Sequence, residues 1–196
     1  MFQLEPFSQS HLLLTETDPD LRGGVCVALC DYWLADIKWR PDDPPRLRLG
    51  RLASHDAQIA QYQKQYGQRR QQEEPQDARS AMGQRLGHDY EHHTTILPAL
   101  IGPNAVRARL AADLRYFGAG ATWSMRFAGG GGHAIAGFYG IESLAQNMHR
   151  ARIHIFDPNI GEYVGELRDV DFVLHDLLNK FPLYQTVSEI RRTTDG

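Results

Sequence analysis

Cys26, His133 and Asp157 are the residues whose types and settings could carry covalent chemistry. Cys26 lies in GGVCVALCDYWLADIKW, residues 23–39. There Cys26, Leu29, Cys30, Trp33, Leu34 and Ile37 recur at i, i+3, i+4, i+7, i+8 and i+11, which is one apolar face of a helix. A thiol in the first turn meets unpaired backbone N–H groups and the positive end of the helix dipole, both of which favour the thiolate. A thiolate populated at neutral pH is a nucleophile. The two glycines ahead of the helix allow a sharp bend and leave room for a substrate carbonyl.

A thiol nucleophile needs a base and a group that orients the base. His133 follows AGGGG at the mouth of a β-prone run, HAIAGFYG. The glycine run is followed neither by GK[ST] nor by a helix, so it is not a P-loop. Asp157 closes a second short strand, RIHIFD. If the two strands form a hairpin with 140 opposite 150, then 133 lies opposite 157, with Cβ atoms about 5 Å apart. A carboxylate there can hold one imidazole nitrogen and leave the other free for the sulfur. A slip of one residue would turn Asp157 to the other face. Singly, the three residues read equally well as a small core residue, a strand-end histidine and a turn former before Pro158. Their value lies in the combination.

The elements that must position them run in a clear order. Residues 1–22 are mixed, with TETDPD as the loop before the Cys helix. RPDDPPRLRLG, residues 40–50, reads as a connector because its prolines disfavour helix and central strand. Residues 51–80 are polar, with Ile59, Tyr62 and Tyr66 as a thin helical stripe, and read as a solvated helix followed by a mobile loop broken at Pro75. Residues 103–117 form an amphipathic helix through Val106, Leu110, Leu114 and Phe117. Strands follow from 121, then a helix over 169–181 with Phe172, Leu174, Leu177 and Leu178 apolar, and a last strand after Pro182. Helices first and antiparallel strands after make an α+β fold, with the N-terminal helical part, including the Cys helix, packed on a C-terminal antiparallel sheet. The 196 residues suit a single domain spanning 1–196, with 40–80 a variable, partly mobile insertion.

Composition narrows the function. A net charge of −3 gives no electrostatic reason for a nucleic-acid partner. Two cysteines four apart on one helix do not suit a disulfide, and two cannot make a Cys-rich zinc site. His88, Asp89, Glu91, His92 and His93 invite a metal reading, but they do not form HExxH and no remote ligand is evident, so they read as surface histidines at a helix end. No cofactor and no metal is expected. No stretch is long and apolar enough to span a bilayer, and the N-terminus has no basic leader of a cleaved signal peptide.

Three motifs, GGVCVALCDYW at Cys26, GGHAIAGFY at His133 and FDPNIGEY at Asp157, resemble the YopT/AvrPphB-type cysteine proteases, bacterial effectors of the papain-like clan. The resemblance covers roughly residues 21–39 and 122–163. It implies a papain-like fold, a Cys26–His133–Asp157 triad, no cofactor, and a protein substrate in a target cell. It also implies secretion by a bacterial system without a cleaved signal peptide, action in the target-cell cytosol, and in some members self-processing. Cys30 stands where the family has a small polar residue and is thus a candidate second reactive thiol. No Gln or Asn directly precedes the Cys helix as an oxyanion donor, and Asp20 near that place would repel an oxyanion. The same triad would also serve a deamidase, an amidase or a transglutaminase-like acyl transferase. From another class, a non-catalytic partner-binding module is the alternative.

Overall fold

The β-prone runs after residue 120 build the centre of the molecule. The computed structural model describes residues 2–13, 21, 24–96, 103–114, 118, 120–143 and 149–195. Among them, seven strands form one antiparallel sheet: β1 (Gln3–Pro6), β2 (Tyr90–Ile96), β3 (Gly120–Phe127), β4 (Gly132–Ser143), β5 (His149–Asp157), β6 (Gly161–Gly165) and β7 (Val187–Asp195). Their order across the sheet is β1-β6-β5-β4-β3-β7-β2. The architecture is α+β, as expected, but the sheet also recruits β1 and β2 from the N-terminal half.

Helices cover both faces. On one lies α2 (Cys26–Trp39), following the short α1 (Ser10–Leu13) and supported by α3 (Pro45–Ser54), α4 (Asp56–Arg69) and α5 (Pro75–Gln84). The helical face of the motif buries as its spacing demands: Leu29, Cys30, Trp33, Leu34 and Ile37 are fully enclosed, against Ala134, Ala136, Phe138 and Phe156 of the sheet. On the other face α6 (Pro103–Asp113) and α7 (Val170–Lys180) pack on Trp123, Ile135, Ile153 and Ile155. Strand alternation explains this division, since Ala134 and Ala136 face α2 while Ile135 faces the second core.

Several expectations need correction. The connector over 40–50 is shorter than expected, because Pro44 and Pro45 occupy the cap and first position of α3, where the missing N–H costs nothing. Pro75 likewise opens α5 rather than breaking a helix, so the expected mobile loop is a helix burying Ala78, Arg79 and Met82. The His-rich stretch is not a helix end: Tyr90–Ile96 pairs with β7, and His88 is buried beside Asp195. In α7 the buried side chains are Val173, Leu174, Leu177 and Leu178, while Phe172 is exposed. The TETDPD loop, Phe117 and the middle of the 141–149 connection lie outside the described residues.

A buried polar cluster locks α2 to the sheet. Glu162 and Arg48 are both fully buried and paired, with Nε to Oε2 at 3.1 Å. Trp33 Nε1 donates to Glu162 Oε2 at 2.9 Å, and the Trp33 ring stacks on Phe156 with centroids 5.5 Å apart. His154 Nδ1 lies 2.9 Å from Glu162 Oε1. Next to it Gly161, at φ +132°, lets β1 come so close that a Cβ would sit 2.0 Å from the Glu5 carbonyl oxygen. Glu162→Gln would leave the Arg48 guanidinium buried without its countercharge. Urea denaturation is expected to show a loss of roughly 3–5 kcal/mol, the usual cost of breaking a buried ion pair.

Candidate active site

The site forms at the rim of the sheet, where the start of α2 meets the start of β4 and the end of β5. His133 is the second residue of β4 and Asp157 the last of β5. The hairpin register differs from the expected one by two residues, with Gly140 opposite Arg152 rather than 150. A shift of two preserves the face, so His133 and Asp157 still point to one side as diagonal neighbours. The imidazole spans the diagonal: His133 Nε2 lies 2.9 Å from Asp157 Oδ1.

Cys26 and His133 line the same cleft, close enough for each to shift the other's pKa. With Nε2 committed to Asp157, the nitrogen that faces sulfur is Nδ1. Burial by itself pushes the Cys26 thiol up, but the hydrogen bond and charge of His133 outweigh it, helped by the Ala134 backbone and the charge of Arg79, and the pKa is lowered. Burial pulls His133 down, yet the charge and hydrogen bond of Asp157, then those of Cys26, raise it to about 10. The lowered thiol and the raised imidazole both favour the thiolate–imidazolium form of the pair. Cys30 behaves oppositely. It is fully buried, and burial followed by the charge of Cys26 holds its pKa well above the ordinary thiol value. The expectation of a second reactive thiol is corrected on that ground.

Asp157 is completely buried and accepts three hydrogen bonds. Oδ1 takes His133 Nε2 and, at 2.8 Å, the Asn159 backbone N–H, while Oδ2 takes the Tyr184 hydroxyl. Tyr184 lies in the 3-10 turn Pro182–Thr186, and nothing in its sequence neighbourhood marks it as part of the site. Gln9 was missed for the same reason. Its Oε1 accepts the Val25 N–H at 3.0 Å, and its Nε2 donates to Asn159 Oδ1 at 2.6 Å. The Gln9 backbone N–H donates to the Pro158 carbonyl at 2.6 Å. One side chain thus ties the acid turn to the start of the Cys helix. Gln63 Oε1 takes a second first-turn N–H, that of Ala28, at 3.1 Å. Gly24, at φ +93°, makes the bend, and a Cβ there would press on Gln9 Oε1 at 3.1 Å. Asp20 lies outside the described residues.

The motifs now have physical content. In CDYW, the buried Asp31 accepts from Arg79, Tyr62 and Tyr90, and Trp33 reaches Glu162. In DPNIGEY, Asn159 serves the Gln9 tie, Glu162 the buried cluster, and the Tyr163 hydroxyl donates to Asp176 at 2.6 Å. A cleft of about 550 Å³ opens over Cys26 and His133, walled by Gln63, Tyr66, Met125 and the 130–132 glycine turn. The metal reading of the His-rich stretch fails among the described residues, where no three His, Cys, Asp or Glu side chains converge. His88 is held by Asp195 and the Asp31 carbonyl, and His92 by Ser80 and Thr193. No described helix is long and apolar enough to cross a membrane.

This architecture matches the crystal structure of the Pseudomonas avirulence protein AvrPphB with a TM-score of 0.67, over 91% of this chain and 95% of that one, at 20% identity. The chain has the AvrPphB fold. That is the fold implied by the resemblance of the three motifs. A cysteine protease-like domain of the Photorhabdus asymbiotica toxin PaTox aligns more loosely, with a TM-score of 0.46, 10% identity, and coverage of 97% of this chain and 53% of that one. No family model matches the sequence, and no curated protein does.

Iodoacetamide at neutral pH is expected to label one thiol, Cys26, and to leave Cys30 unmodified, as read by peptide mass. The labelling rate should rise as pH climbs through the lowered thiol pKa and stay level until the imidazolium deprotonates near pH 10. Asp157→Asn removes the main charge that holds the ring protonated. The upper limit should then move down toward the ordinary histidine value and the lower limit up. Unchanged limits in that variant would contradict the assignment of Asp157 as the partner that sets His133.

Proposed function

We propose that this chain is a cysteine protease, a single papain-like catalytic domain in which Cys26 is the nucleophile, His133 the acid–base and Asp157 the group that fixes the imidazole. The observation that carries this reading is the buried His133–Asp157 hydrogen bond, with the His133 ring acting on Cys26 in the same open cleft.

Cys26 attacks the scissile peptide carbonyl as the thiolate, forming a carbon–sulfur bond and a tetrahedral oxyanion. The Cys26 backbone N–H, in the first turn of α2, donates to that oxyanion, where the helix dipole adds to the stabilisation. The imidazolium of His133 gives its proton to the leaving amine as the carbon–nitrogen bond breaks. The neutral ring then takes a proton from water, which attacks the thioester and releases the acid, restoring the thiolate and imidazolium. Asp157 stays ionised throughout, its charge supported by the donors of Asn159 and Tyr184. Tyr184 acts through Asp157 and is a positioning residue.

The fold shared with an avirulence protein supports a bacterial effector or toxin that cuts proteins of a target cell, itself included in some settings. Terminus-labelling proteomics on target-cell lysate tests both parts. The wild type should create new N-termini that are absent with Cys26→Ala, a variant that keeps the fold by circular dichroism. Mass shifts of about one dalton without new termini would instead make the enzyme a deamidase. Identical termini with both proteins would sink the assignment of Cys26.

A further inference from the structure

The cleft over Cys26 has a second cavity beside it. Tyr66, Arg70, Ser124 and Arg191 line the cleft and also line this second recess of about 200 Å³, set between the start of α5 and the β3–β7–β2 strands. The two cavities are neighbours that share those four residues. Arg79 and Glu74 belong to the recess, and Arg192 borders it with its Nη1 committed to Asp113.

Arg79 is the unusual member. It is only 3% exposed, yet a single nitrogen, Nη2, makes its bonds to Asp31 at 2.6 Å and to Thr122 at 2.9 Å. Among the described residues its Nε and Nη1 are buried with no acceptor. Buried unpaired donors are rare in folded proteins, and each asks for an explanation. Arg70 is exposed at the end of α4, with no carboxylate partner among the described residues. Arg191 is paired with Glu189, and Glu74 is the one carboxylate on the recess wall. Three guanidinium groups, one with spare buried donors, fit a ligand that brings oxygen acceptors and negative charge. This local excess of donors stands out on a chain of net charge −3.

The sheet register measures how far the recess lies from the sulfur. Thr94, Arg191, Ser124 and Ala134 face one another in a row across β2, β7, β3 and β4. Ala134 is the residue whose backbone hydrogen-bonds Cys26. Arg191 is thus two strand spacings from it, about 10 Å, or roughly three residues of extended peptide.

We propose that the recess is a specificity subsite for an acidic group of the substrate, a carboxylate or phosphate, carried about three residues from the bond that Cys26 cuts. The proposal rests on the protease reading for its position and on the recess itself for its chemistry. A segment lying across the recess presents its acidic side chain to Arg70 and Arg191, with the charge of the buried Arg79 behind them. The peptide's remaining residues then fall across Cys26 in the cleft.

The test separates binding from turnover. A degenerate peptide pool, with and without phosphoserine, is captured on immobilised Cys26→Ala protein and sequenced. In parallel the wild type digests the same pool. Bound peptides should be enriched about tenfold in Asp, Glu or phosphoserine, the scale of one charge-assisted hydrogen bond. Cleaved peptides should carry that residue about three positions from the cut. Arg70→Glu and Arg191→Gln, each checked for folding by its thermal melt, should erase the enrichment. Arg79→Lys, checked for folding by its thermal melt, should weaken it. Capture or cleavage with no acidic preference overturns the subsite, as does a preference that survives in Arg70→Glu and Arg191→Gln. So does inorganic phosphate raising the melting temperature above matched chloride while the pool shows no acidic enrichment, which would make the recess a site for a free anion. Acid-selective capture with no cleavage supports the subsite and counts against the protease reading alone.

Discussion

A carboxylate with no exposure to solvent is the constraint on which this structure depends. Asp157 sits at the end of a central strand with 0% of its surface accessible. An ion in that position is tolerated only when its oxygens are taken up by donors and its charge is balanced nearby. Three donors converge on it from three separate parts of the chain, and one of them, His133, also supplies the balancing charge. The raised basicity of the imidazole follows, and from that follows the lowered pKa of the thiol on its other side. The environment of the Cys26 sulfur is therefore a consequence of how Asp157 is buried on the far side of His133.

That arrangement works only if α2 is held still against the rim of the sheet. Hydrophobic packing places the helix, but an apolar face can slide and rotate at small cost. The polar groups buried under it cannot. Trp33 and Arg48 meet at Glu162, and Asp31 collects Arg79, Tyr62 and Tyr90, so a shift of the helix would strand several buried donors at once. Gln9 adds a direct strut between the helix start and the turn that carries Asp157. Helix and strand ends are thereby fixed relative to each other from both sides of the site.

Arg79 has a place in two of these systems. Its pairing with Asp31 anchors α5 beneath the helix, and its charge helps lower the pKa of Cys26. Its side chain also lines the recess beside the cleft. A single buried cation can thus serve the scaffold, the thiolate and the groove, because guanidinium offers more donors than one carboxylate consumes.

Much of this was legible in the residues alone. The 3.6 period from Cys26 to Ile37 gave the Cys helix and its buried face, because packing of a helix on a core leaves no other pattern. The alternating runs gave the central strands, and their parity put His133 and Asp157 on one side even though the register was two residues off, since side-chain direction depends only on odd or even spacing. Length and charge narrowed the partner classes. What the sequence alone could not decide are matters of distance through space. Pro45 and Pro75 look like breakers until the chain is seen to begin helices at them. Gln9 and Tyr184 carry no local signal, because each reaches the site across a gap in sequence that only folding closes. The opposite pKa shifts of Cys30 and Cys26, four residues apart on one helix, are set by burial and by the neighbouring His133. Local pattern follows from covalent periodicity and is written in the chain, whereas the electrostatic environment of a group is set by what the tertiary structure packs around it.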